Sequence, residues 1–223
     1  MLKPRKKITK KQLKEDKLVT FYFQAQEWLE KNGKLLTMAA AAVVLVAAGV
    51  AYYSYAQVRA EKTASVDLAR ATRTFEAQDY QTAISQLSPI VDSYGSTTSG
   101  KMARLYLADA FFQTKEYANA RKHYQKFASS FKGDDYFRAA AQGGVAACLE
   151  QEQKYAEAAA AYVDAAESWD SVLAPSMLLN AGRCYNRAGD SATAHKTLNR
   201  LIEAYPKATE KEDALLLLSS LGS

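Results

Sequence analysis

Few side chains here stand at spacings that support bond-making chemistry. Two Cys, 148 and 184, are too few for a disulfide-stapled scaffold and lack the short spacing of a metal knuckle. They recur at equivalent points of an internal repeat. Equivalent atoms in stacked repeats lie about 10 Å apart, beyond the ~7 Å Cα limit of a disulfide, so the pair reads as two small core packers. His123 and His195 have no carboxylate or thiol at ligand spacing, which predicts solvated or helix-capping roles. The paired carboxylates Asp134 and Asp135 fall in an inter-repeat turn, and the sequence has neither a glycine-rich phosphate loop nor a nucleophile elbow. The residues therefore predict no catalytic, cofactor or metal site, and no enzyme.

What could act is recognition, along the inward row of a stack of helices. The positions predicted to face that groove are Leu68, Thr72 and Phe75, then Leu105, Asp109, Phe112 and Gln113, then Gly143, Ala147 and Glu150, then Leu179, Arg183, Asn186 and Arg187. The face reads as aromatic at one end, small in the middle and basic at the other. It lacks the Lys and Asn set that clamps a C-terminal carboxylate.

The elements that would hold this row follow from self-similarity. Tyr80, Tyr117, Tyr155 and Ser191 align at intervals of 37, 38 and 36 residues. Three residues on stand Ala83, Ala120, Ala158 and Ala194; seven on, Leu87, Tyr124, Tyr162 and Leu198; ten on, Ile90, Phe127, Ala165 and Leu201. Nine residues before come Ala71, Ala108, Ala146 and Gly182. The period lies near that of the tetratricopeptide repeat with short insertions. Small residues on both helices of a hairpin allow close approach, and large ones fill the gap to the next hairpin. The aligned Tyr is expected to pack between hairpins. Four hairpins are predicted over 64–97, 101–134, 139–172 and 175–208. Pro89 is expected to end or kink a helix near Ser88. Thr209 and Glu212 predict a capping box that opens a final helix, through Leu221, covering the last repeat.

Composition agrees with an all-α protein: 48% of the 223 residues are hydrophobic and 24% charged, with four Pro and ten Gly. Charge is unevenly placed. Residues 1–34 hold ten Lys or Arg against four Asp or Glu, a net +6, leaving −1 on the remaining 189. The basicity belongs to a tail and not to a folded face, which weakens any nucleic-acid reading that needs a basic face on a fold, and no nucleic-acid partner is expected.

Residues 35–56 form a run of 22 without a charge, about 30 Å as a helix, matching a bilayer core. Tyr52, Tyr53 and Tyr55 suit its interface. Thirty-four residues precede it, too many for a signal-peptide n-region, so an uncleaved transmembrane helix is predicted. The basic end stays cytoplasmic, which exports the repeats. Before the run, Leu18, Phe21, Tyr22, Ala25, Trp28 and Leu29 recur at helical spacing, predicting an amphipathic juxtamembrane helix. The basic tail is expected to favour anionic lipid. The domain plan is thus a tail over 1–34, a span over 35–56, a linker or helix extension over 57–63, and an α-solenoid of about four tetratricopeptide-like hairpins with a C-terminal capping helix over 64–221.

A basic tail, one span and a small repeat domain ending in AGRCYNRAGDSATAHKTLNRLIEAYPKA resemble the YfgM-like family of bacterial inner-membrane proteins. The resemblance implies a single-pass protein with a cytoplasmic N-terminus and a periplasmic repeat domain. It also implies an ancillary role at the Sec translocon, with translocon subunits, periplasmic chaperones or exported clients as partners. The competing expectation is a structural subunit or assembly scaffold of another envelope complex.

Overall fold

Three of the four hairpin turns contain no glycine, yet all four adopt one geometry. Gln78, Lys115 and Gln153 carry φ of 62°, 64° and 62°, and Gly189 carries 84°. Each turn closes by two backbone bonds: in the first, the Gln78 amide donates to Phe75 O (2.8 Å) and the Asp79 amide to Thr74 O (3.2 Å), and the pattern repeats in the other three. This is the Schellman ending, which satisfies orphan carbonyls by placing one residue in the left-handed region. Asp79 and Asp190 then accept from the Thr82 and Thr193 amides at 3.1 and 3.0 Å, capping the following helix.

The computed structural model describes residues 10–168 and 172–221, with side chains from residue 19 onward. The nine described helices are α1 (Lys10–Glu76), α2 (Tyr80–Tyr94), α3 (Thr98–Gln113), α4 (Tyr117–Ser130), α5 (Asp135–Gln151), α6 (Tyr155–Ser168), α7 (Ala174–Arg187), α8 (Ser191–Ala204) and α9 (Glu210–Leu221), with no strand among the described residues. The chain divides into two units, residues 1–56 and residues 57–223. The basic residues 3–7 lie outside the described residues.

In the first unit α1 is exposed almost throughout, including Phe21, Tyr22, Phe23 and Trp28 and the apolar run from Leu35 to Tyr55. Among the described residues this is the one helix long and apolar enough to cross a membrane.

In the second unit every helix from α2 on packs against its sequence neighbour, giving an α-solenoid of hairpins. All sixteen positions of the four aligned helical columns are buried. The alanines at 71, 108, 146, 83, 120, 158 and 194 have no exposed surface, as close helix approach requires. At Gly182 a Cβ would come within 2.6 Å of Leu198, so that crossing tolerates no methyl group. The core forms two clusters. One joins α1, α2 and α3 through Ala64, Ala71, Leu87, Ile90 and Leu107; the other runs from Leu105 to Ala214.

Two expectations need correction. α2 does not end at Ser88 but continues through Pro89 to Tyr94. Leu87, Ile90 and Val91 are buried on both sides of the proline, and the Ser88 hydroxyl takes the Ile84 carbonyl at 2.8 Å, so packing outweighs the missing donor. Of the two alternatives for residues 57–63 the helix extension forms, since α1 passes through them, and Glu61 accepts from both the amide (3.2 Å) and the hydroxyl (2.6 Å) of Ser99 at the start of α3. Those bonds hold the Glu61 carboxyl below its ordinary range against the opposing effect of burial. At α9 the Thr209 hydroxyl meets Glu210 at 3.1 Å, in place of the predicted reciprocal pairing with Glu212.

Candidate protein-binding groove

The first helix of each hairpin carries the predicted row, and Tyr117 and Tyr155 of the aligned column tie their hairpins to the next. Tyr117 donates to Gln151 Oε1 at 3.4 Å, and the Arg187 guanidinium lies 5.6 Å over the Tyr155 ring. Phe75 and Phe112 sit five residues before Tyr80 and Tyr117 and meet them edge-on at 5.3 and 5.5 Å, with Tyr106 adding a second edge contact to Phe75 at 5.5 Å. Such pairs hold their rings in place while leaving a half-exposed apolar surface.

The structure sorts the predicted row into open, half-open and closed positions. Gln113, Arg183 and Arg187 are exposed; Leu68, Thr72, Phe75, Asp109, Phe112, Ala147, Glu150 and Asn186 are half-buried. Leu105 and Leu179 are buried in the core and are not open to a partner. Gly143 is closed as well, because the Met177 methyl lies 2.4 Å from where its Cβ would be. At the expected basic end Arg187 pairs with Glu150 at 2.8 Å, and Arg183 lies 3.8 Å from Asp213 of α9, both cations remaining open to solvent.

Two carboxylates face the middle of the row. Asp109 accepts the Tyr124 hydroxyl at 2.5 Å, and burial raises its carboxyl above the ordinary range while that bond opposes the rise. Glu150 accepts the Tyr162 hydroxyl at 3.3 Å besides the Arg187 bond. Burial, and then the neighbouring carboxylates, push both tyrosines upward. Both are neutral donors at physiological pH.

The other reactive side chains are accounted for by the fold. Cys148 and Cys184 are buried and free, their thiols pushed up to about 12 chiefly by burial, which leaves little thiolate. Asp134 caps α5 through the Tyr136 amide at 2.9 Å. His195 is exposed, whereas His123 is half-buried and stacks on Phe111 at 5.5 Å, a packing role in place of the solvated one predicted. Among the described residues no three His, Cys, Asp or Glu side chains gather as a metal site. Tyr106, Gln151 and Asp213 were not on the predicted row. Gln151 had a signal, since it is the repeat equivalent of Gln113 and Arg187. Asp213 had none, because it reaches the row only by tertiary packing of α9.

These features define a helical-repeat scaffold of the kind that binds proteins. The model of the tetratricopeptide repeat-like domain family matches residues 26–218, and the chain belongs to that family. The match takes in the apolar run as well as the repeats. Among solved structures, the chain is similar to the nearly identical TPR-like repeats of a kinesin light chain from Podosopora anserina, with 14% identity and a TM-score of 0.56 over 70% of this chain and 84% of that one. A single-substitution variant of that protein gives the same values. No curated protein matches the sequence at a significant level.

Proposed function

We propose that this protein is a membrane-anchored scaffold that holds protein segments on its half-open groove, serving the Sec translocon and the folding of newly exported proteins. The anchor is the charge-free run of α1, with its N-terminus cytoplasmic and the repeats on the far side, periplasmic in the inner membrane of a diderm bacterium. The observation that carries the binding role is the line of half-buried aromatic rings at Phe75 and Phe112, each fixed edge-on by a tyrosine and each still accessible. Rigid aromatic surface of this sort gives contact area at low entropic cost. The translocon role is supported by the resemblance in architecture, since the fold alone serves many partners.

The test is photocrosslinking in intact membranes with a probe at Phe112 and, separately, at Val46, with the adducts identified by mass spectrometry. Translocon subunits at Val46 together with varied exported clients or chaperones at Phe112 are expected. One and the same partner at both positions would make the chain a fixed subunit of another complex and overturn the export reading.

A further inference from the structure

The second hairpin carries a shallow cavity of about 630 Å³, lined by Arg104 of α3 and by Lys122, His123, Gln125, Lys126 and Ser129 of α4. No carboxylate lines it among the described residues. Three arginines of the repeats are half-buried among the described residues, namely Arg104, Arg121 and Arg138. Arg121 and Arg138 pair with Glu152 and Asp135, whereas Arg104 has neither an ion pair nor a hydrogen bond among the described residues. Lys122 and Lys126 are exposed and likewise have no ion pair among those residues. They stand four apart on one face of α4, a like-charge arrangement that destabilises a helix unless an anion offsets it. The Ser129 hydroxyl is committed to the Lys126 carbonyl at 3.1 Å and adds no donor. Arg104 and Lys122 reinforce burial in holding His123 below its ordinary range, with Asp92 of α2, outside the lining, opposing.

We propose that this cavity docks an acidic segment of a partner protein, a second binding surface that depends on neither the groove nor the anchor. Lys122 and Lys126 lie one turn apart, about 6 Å along the face of α4. Alternate side chains on one face of an extended segment repeat at about 6.6 Å, so two carboxylates of such a segment match the two ammonium groups. Arg104 adds from α3 a planar fork that suits a further carboxylate, and the Gln125 amide adds neutral donors. The cations belong to two packed helices whose axes lie about 8–10 Å apart, a spread that several carboxylates on one chain cover and a single small anion does not. Charge favours a short acidic stretch of protein over a nucleic acid or a lipid surface. Residues 57–223 hold 19 Lys or Arg against 20 Asp or Glu, so an extended polyanion finds no net attraction beyond the cavity.

The test uses the full chain in a neutral detergent and a peptide of alternating Glu and Ala that ends in a photoreactive benzoylphenylalanine, with the adducts mapped by mass spectrometry. Adducts within α4 are expected, and their yield should fall about tenfold in the Lys122→Gln/Lys126→Gln variant, as the loss of two exposed charge pairs implies. Both lysines are exposed, so the melting temperature of that variant should match the parent. The Lys196→Gln/Lys207→Gln variant loses the same charge elsewhere on the repeats and should keep the parent yield. No adduct in α4, an equal loss in both variants, or equal labelling of α4 by a peptide of alternating Gln and Ala would overturn the proposal. Adducts in α4 that inorganic phosphate suppresses at lower concentration than the unlabelled acidic peptide would assign the cavity to a free anion and overturn it as well.

Discussion

The two units of this chain use the same apolar residues to opposite ends. In residues 35–56, Leu45 and Met38 are each 73% exposed along α1, while in the repeats Leu87, Leu198 and Phe127 have no exposed surface. One helix keeps its apolar surface outward on every side and is long and apolar enough to cross a membrane. The other helices confine theirs to the faces they share. Composition marks the first, an unbroken run of 22 residues without a charge, and periodicity marks the second, a recurrence at 36 to 38 residues.

That contrast breaks most sharply at Phe127. Replacement by Ala should cost the repeat unit about 3–5 kcal/mol in urea unfolding, because the side chain is fully buried against Phe131 and its neighbours. Leu45→Ala should leave the same unfolding curve unchanged, and Leu45→Arg should instead weaken membrane insertion, by about 3 kcal/mol, read as loss from the membrane pellet after alkaline extraction. A matching loss of repeat stability from Leu45→Ala would show that the run packs on protein.

Asp109 sharpens the comparison at a polar site within the repeats. Its carboxyl is raised by burial, so the folded state holds the proton more tightly than the unfolded state. Stability from this group is therefore greatest below the ordinary carboxylate range and is lost as pH rises through the raised value. Asp109→Asn keeps an acceptor for Tyr124 and removes that loss. The variant should gain on the parent between pH 4 and 7 in paired urea titrations, which cancel the opposite contributions of the lowered Glu61, Asp79 and Asp190. A difference independent of pH would show that Asp109 is not the titrating group.

The smallest effect lies in the turns. Gln153→Gly relieves a left-handed residue and should raise stability by about 0.5–1 kcal/mol, while Gly189→Gln should lower it by a similar amount, both read as shifts in melting temperature. Equal and negligible shifts would mean that the Schellman bonds hold the turn without strain.

The turns also mark the limit of what was legible. Repeat register could be read because burial acts on side-chain size: the aligned small and large columns all became core. Only Gly189 announced the left-handed residue, and three turns adopt it with Gln or Lys because the backbone bonds and the packed helices on either side impose it. Pro89 misled for the same reason, as the burial of Leu87, Ile90 and Val91 carries the helix past a residue that local preference would use to end it. Which positions of the predicted row stay open was not legible from periodicity. Leu105 and Leu179 share the groove periodicity yet close into the core, and Arg183 and Arg187 pair at the surface with Asp213 and Glu150, partners that lie on other hairpins or on α9 and leave no trace in local sequence.

The pairing of each helix from α2 to α9 with its sequence neighbour has a consequence for how the chain is made. Contacts of short sequence separation close quickly, since little loop entropy opposes them, and a stack of this kind can nucleate anywhere and grow by one hairpin at a time. The core that joins Ala64, Ala71, Leu87 and Leu107 is complete once α3 has been delivered, before any residue of the last two hairpins is needed. A chain delivered from its N-terminal end can therefore fold vectorially as it emerges, each finished hairpin serving as the template for the next, so that little unpaired apolar surface is presented to its neighbours at any moment.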